Sequence, residues 1–516
     1  MTRTRRFLGG LAFGYFNQAL VTLVGLWLTA FLIERLGQAD YGLWLVATRI
    51  LGYLLLLDVG VVGLLPRETA FAVGRAGGVD AARDVPEIVG RTMRLVLWQL
   101  PVVALASALV WLALPGEWAP LRQPLGIVMA VFVVTFPTRV LQAALHGLQD
   151  LAFLGAVTTI TWLASTVASV ALVFAGFGLH ALAIGWGVAQ LGSAIGWWIR
   201  LRRRFPHVIT TRMPSLAGTQ LRERLTRGGW ISVAQVAQVM LGGTDLLIIG
   251  KLLGAAAVVP YFCTAKVLTV LGNQPLMMAE TAQPALSELR SGPSRDRLAA
   301  VCTALTRAIL IVSGGVVVIV LAVNEGFVSW WVGDELYGGF ALTALLAAGM
   351  LVRHWNVTAI YSLFSFGHDR RISLTTLADG IVTVTASVVL VSRFGLIGAA
   401  IGSFVGAVLI GLPANLVGLA RDMGVPAGRL AAGLWPWCWR FAIVAGPAAW
   451  LGQVWVPRTL PTLVITTLGT GGVYAAVMLP LALREPLGTY VRPRLEAVRH
   501  GLGRLVGEAG GTVTDD

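Results

Sequence analysis

The sequence predicts an all-α polytopic membrane protein of about fourteen transmembrane helices. It further predicts two parallel six-helix lobes around a central cavity, followed by two extra C-terminal helices. Three observations predict this. Hydrophobic residues make up 56% of the 516 positions and charged residues 12%, about half the charge of a soluble domain. Apolar runs of about twenty residues, each long enough to cross a bilayer as a helix, recur from end to end. Distant segments also repeat at one fixed offset.

The runs lie near 9–33, 41–66, 89–113, 124–148, 152–176, 179–200, 228–252, 258–284, 300–323, 340–364, 372–393, 396–420, 435–456 and 460–482. The first follows "MTRTRR" and imitates a secretory signal. It is too long for a signal core and thirteen spans follow it, so it reads as a retained helix. Cys263, Cys302 and Cys438 lie apart in apolar surroundings, with no metal or redox spacing. No metal and no cofactor is expected.

The repeat is visible in "FGLHALAIGWGV" from Phe177 and "FGLIGAAIGSFV" from Phe394, which agree at seven of twelve positions with an offset of 217. The same offset carries Leu36-Gly37 onto Leu253-Gly254, Ala39 onto Ala256 and Arg49 onto Lys266. Two related halves of six helices follow: a first lobe over 1–217 and a second over 218–434. An extra pair spans 435–482 and a basic cytoplasmic tail 483–516. Six is even, so the halves insert in the same orientation, an arrangement in which transporters place substrate between the lobes. A weaker correspondence, shifted by about three residues, sets Thr138 and Gly147 of the fourth helix beside Thr358 and Gly367 of the tenth.

Orientation comes from Lys and Arg. With the N-terminus in the cytoplasm, 28 of the 39 fall in inside segments and five outside, at Arg35, Arg122, Lys251, Arg393 and Arg458. Both termini are therefore expected in the cytoplasm of a bacterial plasma membrane. The basic excess is topological and lipid-facing, and calls for no nucleic acid.

Some charges fall within the spans, where an ionised side chain costs about 3 kcal/mol on insertion scales. Arg49 and Asp58 share the second run. Nine residues at about 100° each set them on opposite faces, roughly 13 Å apart along the axis, so they cannot pair with each other. Asp58 has two open readings, holding a neighbouring helix or serving function. Lys266 lies at the depth of Arg49, and an antiparallel hairpin makes Asp245 its neighbour. The repeat position of Asp245 is Leu28, so Arg49 has no repeat-equivalent partner and is the foremost candidate to receive an anion. Arg353, with His354, sits mid-way along the tenth helix, and Arg139 lies in the inner-middle part of the fourth. Arg307 is about two turns from the cytoplasmic end of the ninth and is expected to snorkel; Asp379 is similarly placed on the eleventh. Five interior cations against three acids make a positive interior. Buried ion pairs explain Lys266 with Asp245 but leave cations over, which favours a water-filled cationic cavity.

The stretches "LGQADYGLWLVATRILGYLLLLDVG", "LRERLTRGGWISVAQVAQVMLGGTDLLIIGKLLGAAAVVPYFCTAKVL" and "RFGLIGAAIGSFVGAVLIG" resemble the polysaccharide-transporter branch of the MOP exporter superfamily, over about residues 10 to 420. The resemblance implies a flippase of undecaprenyl-pyrophosphate-linked oligosaccharides for cell-surface polysaccharide synthesis, working by alternating access. It implies that cationic side chains receive the lipid diphosphate. By position that role falls on Arg49 and Lys266, with Arg353 and Arg139 beside them. The implied partners are the anionic lipid-linked oligosaccharide, bilayer lipids and polysaccharide polymerase or ligase machinery.

Rival readings remain. Lipid-linked peptidoglycan-precursor flippases share fourteen helices and a cationic cavity. Drug/cation antiporters of the superfamily carry an acid in the first helix, where this chain has only Asn17 and Gln18. A membrane enzyme acting on lipid-linked sugars needs acids or bases gathered in an aqueous loop. The longest outside loop, "NEGFVSWWVGDELYGGF", offers Glu325, Asp334 and Glu335 with no His, Arg or metal-like spacing. No phosphate-binding glycine loop appears, so transport draws on an ion gradient, the membrane potential or the substrate gradient. The tail "EPLGTYVRPRLEAVRHGLGRLV" spaces Leu487, Val491, Leu495, Val498, Leu502 and Leu505 between arginines, as a basic helix on the inner leaflet would.

Overall fold

A computed structural model describes residues 3–58, 60–78, 81–209, 218–291, 295–485, 487–489 and 492. Among them the chain is helical throughout, with no strand. The tail helix expected from residue 485 onward lies almost wholly outside the described residues.

Two compact units divide the chain, Met1–Val259 and Pro260–Asp516. The first contains α1 (Arg3–Leu54), α2 (Val61–Ala76), α3 (Val85–Leu112), α4 (Arg122–Thr135), α5 (Arg139–Gly147), α6 (Leu151–Phe174), α7 (Leu179–Arg204) and α8 (Gly218–Leu252). The second is built from α9 (Val258–Ser291), α10 (Arg295–Val332), α11 (Phe340–Ser365), α12 (Asp369–Phe394), α13 (Leu396–Gly406), α14 (Leu412–Met423), α15 (Ala427–Ala432), α16 (Trp435–Val454) and α17 (Leu460–Ala482).

Twelve helices of the described residues are long and apolar enough to cross a membrane. One of the twelve, Gln18–Asp58, takes in most of the first expected span and most of the second. The two are separate helices that meet at Gly37, whose φ 79° and ψ 167° break the helix, a backbone open to glycine. The chain turns back there, so that the Tyr41 hydroxyl donates to Thr29 at 3.3 Å. The expected thirteenth span is α16; at 20 residues it is a full helix but not one of the twelve.

Three spans read as unbroken are interrupted. The second, expected over 41–66, ends as an α-helix at Leu54 and tightens into a 3₁₀ turn over Leu55–Asp58. It resumes at α2 after Gly60, which is left-handed at φ 65°. The cause is local. The Asp58 carboxylate accepts from the Gly60 amide at 2.9 Å, offering the backbone a partner outside the helical ladder. The fourth span breaks over Phe136–Thr138, where Pro137 removes a donor. The twelfth carries a π-turn over Ala407–Gly411. Pro413 follows in the first turn of α14, another missing donor. The expected outside loop at 324–340 is also shorter than read. Its apolar and aromatic residues extend α10 to Val332, leaving a short turn before α11.

The extra pair is fastened within the second unit. α16 and α17 pack on α10 around Leu310, Val318, Trp437, Val444, Tyr474 and Met478. Trp437 stacks on Phe441 at 4.9 Å, and the Tyr474 hydroxyl donates to the Ile311 carbonyl at 2.8 Å. Glycines set the spacing. A methyl at Gly452 would strike the Leu321 carbonyl, and one at Gly314 the Tyr474 hydroxyl. Small residues in this role let helices approach closely where lipid gives no hydrophobic drive.

Candidate functional site

The interior charges fall into three groups once their neighbours are known. The first is two arginine–carboxylate pairs. Arg139, the first residue of α5, meets Asp58 at 2.9 Å and also reaches the Leu55 carbonyl at 3.4 Å. The Asp58 side chain is 1% exposed, so its charge is tolerable only because it is paired and hydrogen-bonded. The pair joins the turn before α2 to the start of α5. Arg353 of α11 lies 3.6 Å from Asp379 of α12. Its guanidinium also donates to the Ser403 hydroxyl and carbonyl of α13, both at 3.0 Å. Asp379 accepts from Thr383 at 3.1 Å and is buried. It does not reach the surface as expected.

Arg307 forms the second group. Its Nε and Nη2 donate to the Gly433 carbonyl at 3.1 and 2.8 Å, satisfying a carbonyl at the end of α15, where a cation is also favoured by the helix dipole.

Arg49 and Lys266 remain. Arg49 is half-buried and lies across α8 at Gly243, where a Cβ would stand 2.8 Å from its Cδ and 3.2 Å from its Nη1. The neighbouring Thr244 hydroxyl is hydrogen-bonded to Tyr53, one turn beyond Arg49. Asp245, the next residue, supplies the negative charge that acts on Arg49, an acid from α8 and not the repeat equivalent, which is Leu28. The pairing follows from helix adjacency, because α1 packs on α8 within the first unit. Even so, Arg49 Nε is enclosed and has no hydrogen-bond acceptor among the described residues. Lys266, in the second unit, rests over the Phe262 ring with its ammonium 4.9 Å from the centroid. Cys263 lies beside it.

A polar chain in the second unit escaped the sequence reading. Thr375 donates to Asn415 at 3.0 Å, and Asn415 donates to Asn356 at 2.9 Å. A methyl at Gly411 would fall within 2.9 Å of Asn356 and closer to Asp379. The π-turn thus brings bare backbone to the buried carboxylate. The available signal was Asn356 three residues beyond Arg353, on the same helix face. His354 Nδ1 lies 2.7 Å from the Ser313 hydroxyl. Outside the spans, burial pushes the Tyr337 phenol up to about 12. It stays neutral and accepts from Thr343 at 3.1 Å. No cluster of three metal-ligating side chains occurs among the described residues.

Residues 101–338 match the model of a family described as polysaccharide biosynthesis protein. No curated protein sequence is similar to this one. Solved structures share its fold. The lipid II flippase MurJ, in an inward closed conformation, superposes with a TM-score of 0.63 at 11% identity, covering 91% of this chain and 99% of that one. An inward-facing multidrug resistance transporter of the MATE family, MOP superfamily, gives 0.58 at 15% identity over 81% and 94%. A MOP superfamily transporter from Pyrococcus furiosus, whose pocket is described as of reverse polarity, gives 0.52 at 16% over 81% and 93%. The chain therefore has the fold of the MOP superfamily structures, and its described residues hold twelve helices long and apolar enough to cross a membrane.

Proposed function

We propose that this MOP-fold transporter is a flippase that moves an undecaprenyl-pyrophosphate-linked oligosaccharide from the inner to the outer leaflet of a bacterial plasma membrane. Both termini lie in the cytoplasm. The observation that carries this reading is Arg49. Arg139, Arg353 and Arg307 all meet carboxylates or carbonyls, whereas Arg49 keeps an enclosed Nε–H with no acceptor among the described residues. A buried donor left unmade costs about 1–3 kcal/mol. It persists where something else completes it, and a diphosphate oxygen is the matching acceptor for a guanidinium.

The geometry suits an anion that must bind and then leave. Gly243 lets the guanidinium lie flat on α8, and the Tyr53–Thr244 bond fixes the seat. Asp245 tempers the positive charge, so the anion is held without being trapped. Lys266 is the second cation offered to the diphosphate. Neutralising the headgroup lowers the cost of carrying it past the apolar core. The family match at residues 101–338 supports a polysaccharide precursor as cargo. On the outer face, polymerase or ligase machinery would receive it.

Flipping of a fluorescent undecaprenyl-pyrophosphate oligosaccharide in proteoliposomes tests this. Wild type flips it, and Arg49→Gln at equal reconstitution is slower by about tenfold or more, the worth of one charge-assisted hydrogen bond. If wild type moves lipid II and not the oligosaccharide, the cargo is a peptidoglycan precursor. If it moves neither under any imposed gradient, the flippase reading is wrong.

A further inference from the structure

Two of the three interrupted spans belong to the first unit, and their breaks meet. The second span tightens at Leu55–Asp58 and resumes at α2, while the fourth tightens at Phe136–Thr138 and resumes at α5. Beyond the breaks, α2 and α5 are paired with each other. Gly147 near the end of α5 sits so close to α2 that a Cβ there would stand 2.5 Å from Thr69 Cβ and 2.9 Å from the Pro66 carbonyl oxygen. Such contact leaves little room for the two to slide independently.

Beside the packing of α2 on α3 and α8 and of α5 on α7, one carboxylate ties the two breaks to each other. Asp58 receives Arg139 on one oxygen at 2.9 Å and the Gly60 amide on the other, also at 2.9 Å. Its backbone carbonyl accepts from Gln99 of α3 at 3.1 Å. Arg139 also reaches the Leu55 carbonyl above the break. The ion pair therefore ties the first residue of α5 to the last residues before α2. Neither break has a continuous helical ladder to resist bending, which is how discontinuous helices serve transporters.

We infer that α2 and α5 move as one piece about the two breaks, and that the Asp58–Arg139 pair is the latch holding that piece in place. Its bearing on transport rests on the flippase reading above. Arg49 lies five residues before Leu54, about 7.5 Å along the axis from the end of α1. Swinging the inner piece opens the first unit directly beneath the Arg49 seat, on the side assigned to the cytoplasm. The seat itself, held by Gly243 and the Tyr53–Thr244 bond, stays put.

Hydrogen–deuterium exchange on the full chain in lipid nanodiscs, with no substrate, tests the latch independently of cargo, because amide exchange reads local opening. Arg139→Gln should raise uptake about threefold or more in both 61–76 and 139–147, leaving 151–204 unchanged. The charge-swapped pair Asp58→Arg with Arg139→Asp should restore the wild-type pattern. A rise in only one half-helix, a rise across the whole unit or no rise overturns the inference. Asp58→Asn is measured in parallel. If neither single variant yields folded protein, the pair is a plain structural tie and the latch is wrong. Flipping by wild type in the same nanodisc lipids is scored separately. Coupled exchange without flipping sinks the cargo assignment alone, and flipping without coupled exchange sinks the latch alone.

Discussion

At the residue scale, two neighbouring positions of the Arg49 seat respond to substitution in opposite directions. Gly243→Ala should stabilise α8, since alanine is favoured over glycine in a helix by about 1 kcal/mol. It should nonetheless displace Arg49, whose Cδ lies 2.8 Å from the added methyl. The expected signature is an unchanged or raised melting temperature with lipid-diphosphate affinity down about tenfold, read by thermal unfolding and by binding on the same preparation. Asp245→Asn has the reverse sign. Removing the acid that acts on Arg49 should tighten binding of undecaprenyl pyrophosphate while slowing multiple-turnover flipping, because release becomes the slow step. Faster flipping with weaker binding would show that Asp245 serves something other than release. Arg49 was legible as a candidate because depth and face are properties of a single helix. Asp245 as its neighbour was not, because which helices lie side by side is a property of the packed unit.

At the element scale, the same limit explains the ion pairs. Asp58 and Arg139 are separated by 81 positions, and Arg353 and Asp379 by 26. Each charge stood out in the sequence as costly, but its partner did not. The breaks were half legible. Pro137 and the Asp58–Gly60 pair are ordinary turn chemistry, overridden in the reading by the apolar run around them. The π-turn at Ala407–Gly411 had Pro413 just beyond it as its signal. One consequence is that Arg353 clasps α11, α12 and α13 together. Arg353→Met should leave Asp379 charged and unpaired in the interior, at a cost of about 3–5 kcal/mol. The double variant with Asp379→Asn should recover most of that loss. Thermal unfolding of the two variants checks it. A single variant as stable as wild type would return Arg353 to the candidate receptors.

At the scale of the whole molecule, the charges left available point to the driving force. Asp58 and Asp379 are each held by an arginine, so neither is a free carrier for a coupling cation, and the first span, 9–33, holds no acid. The chain has no nucleotide-binding loop. The cargo proposed here is itself charged, with two negative charges on its diphosphate at least. Moving one charge across 100 mV is worth about 2.3 kcal/mol, so two charges supply about 4.6 kcal/mol in the outward direction when the cytoplasmic side is negative. A gradient of that size exceeds a thousandfold at equilibrium on the scale of about 1.4 kcal/mol per tenfold. An imposed potassium-diffusion potential, negative on the cytoplasmic side and with no proton or sodium gradient, should therefore accumulate labelled lipid in the outer leaflet by more than about tenfold. Reversing the potential should reverse the accumulation. A distribution indifferent to the potential but responsive to a proton or sodium gradient would mean that a cation travels with the anion and cancels its charge, and the carboxylates of the second unit would then be the first place to look for it.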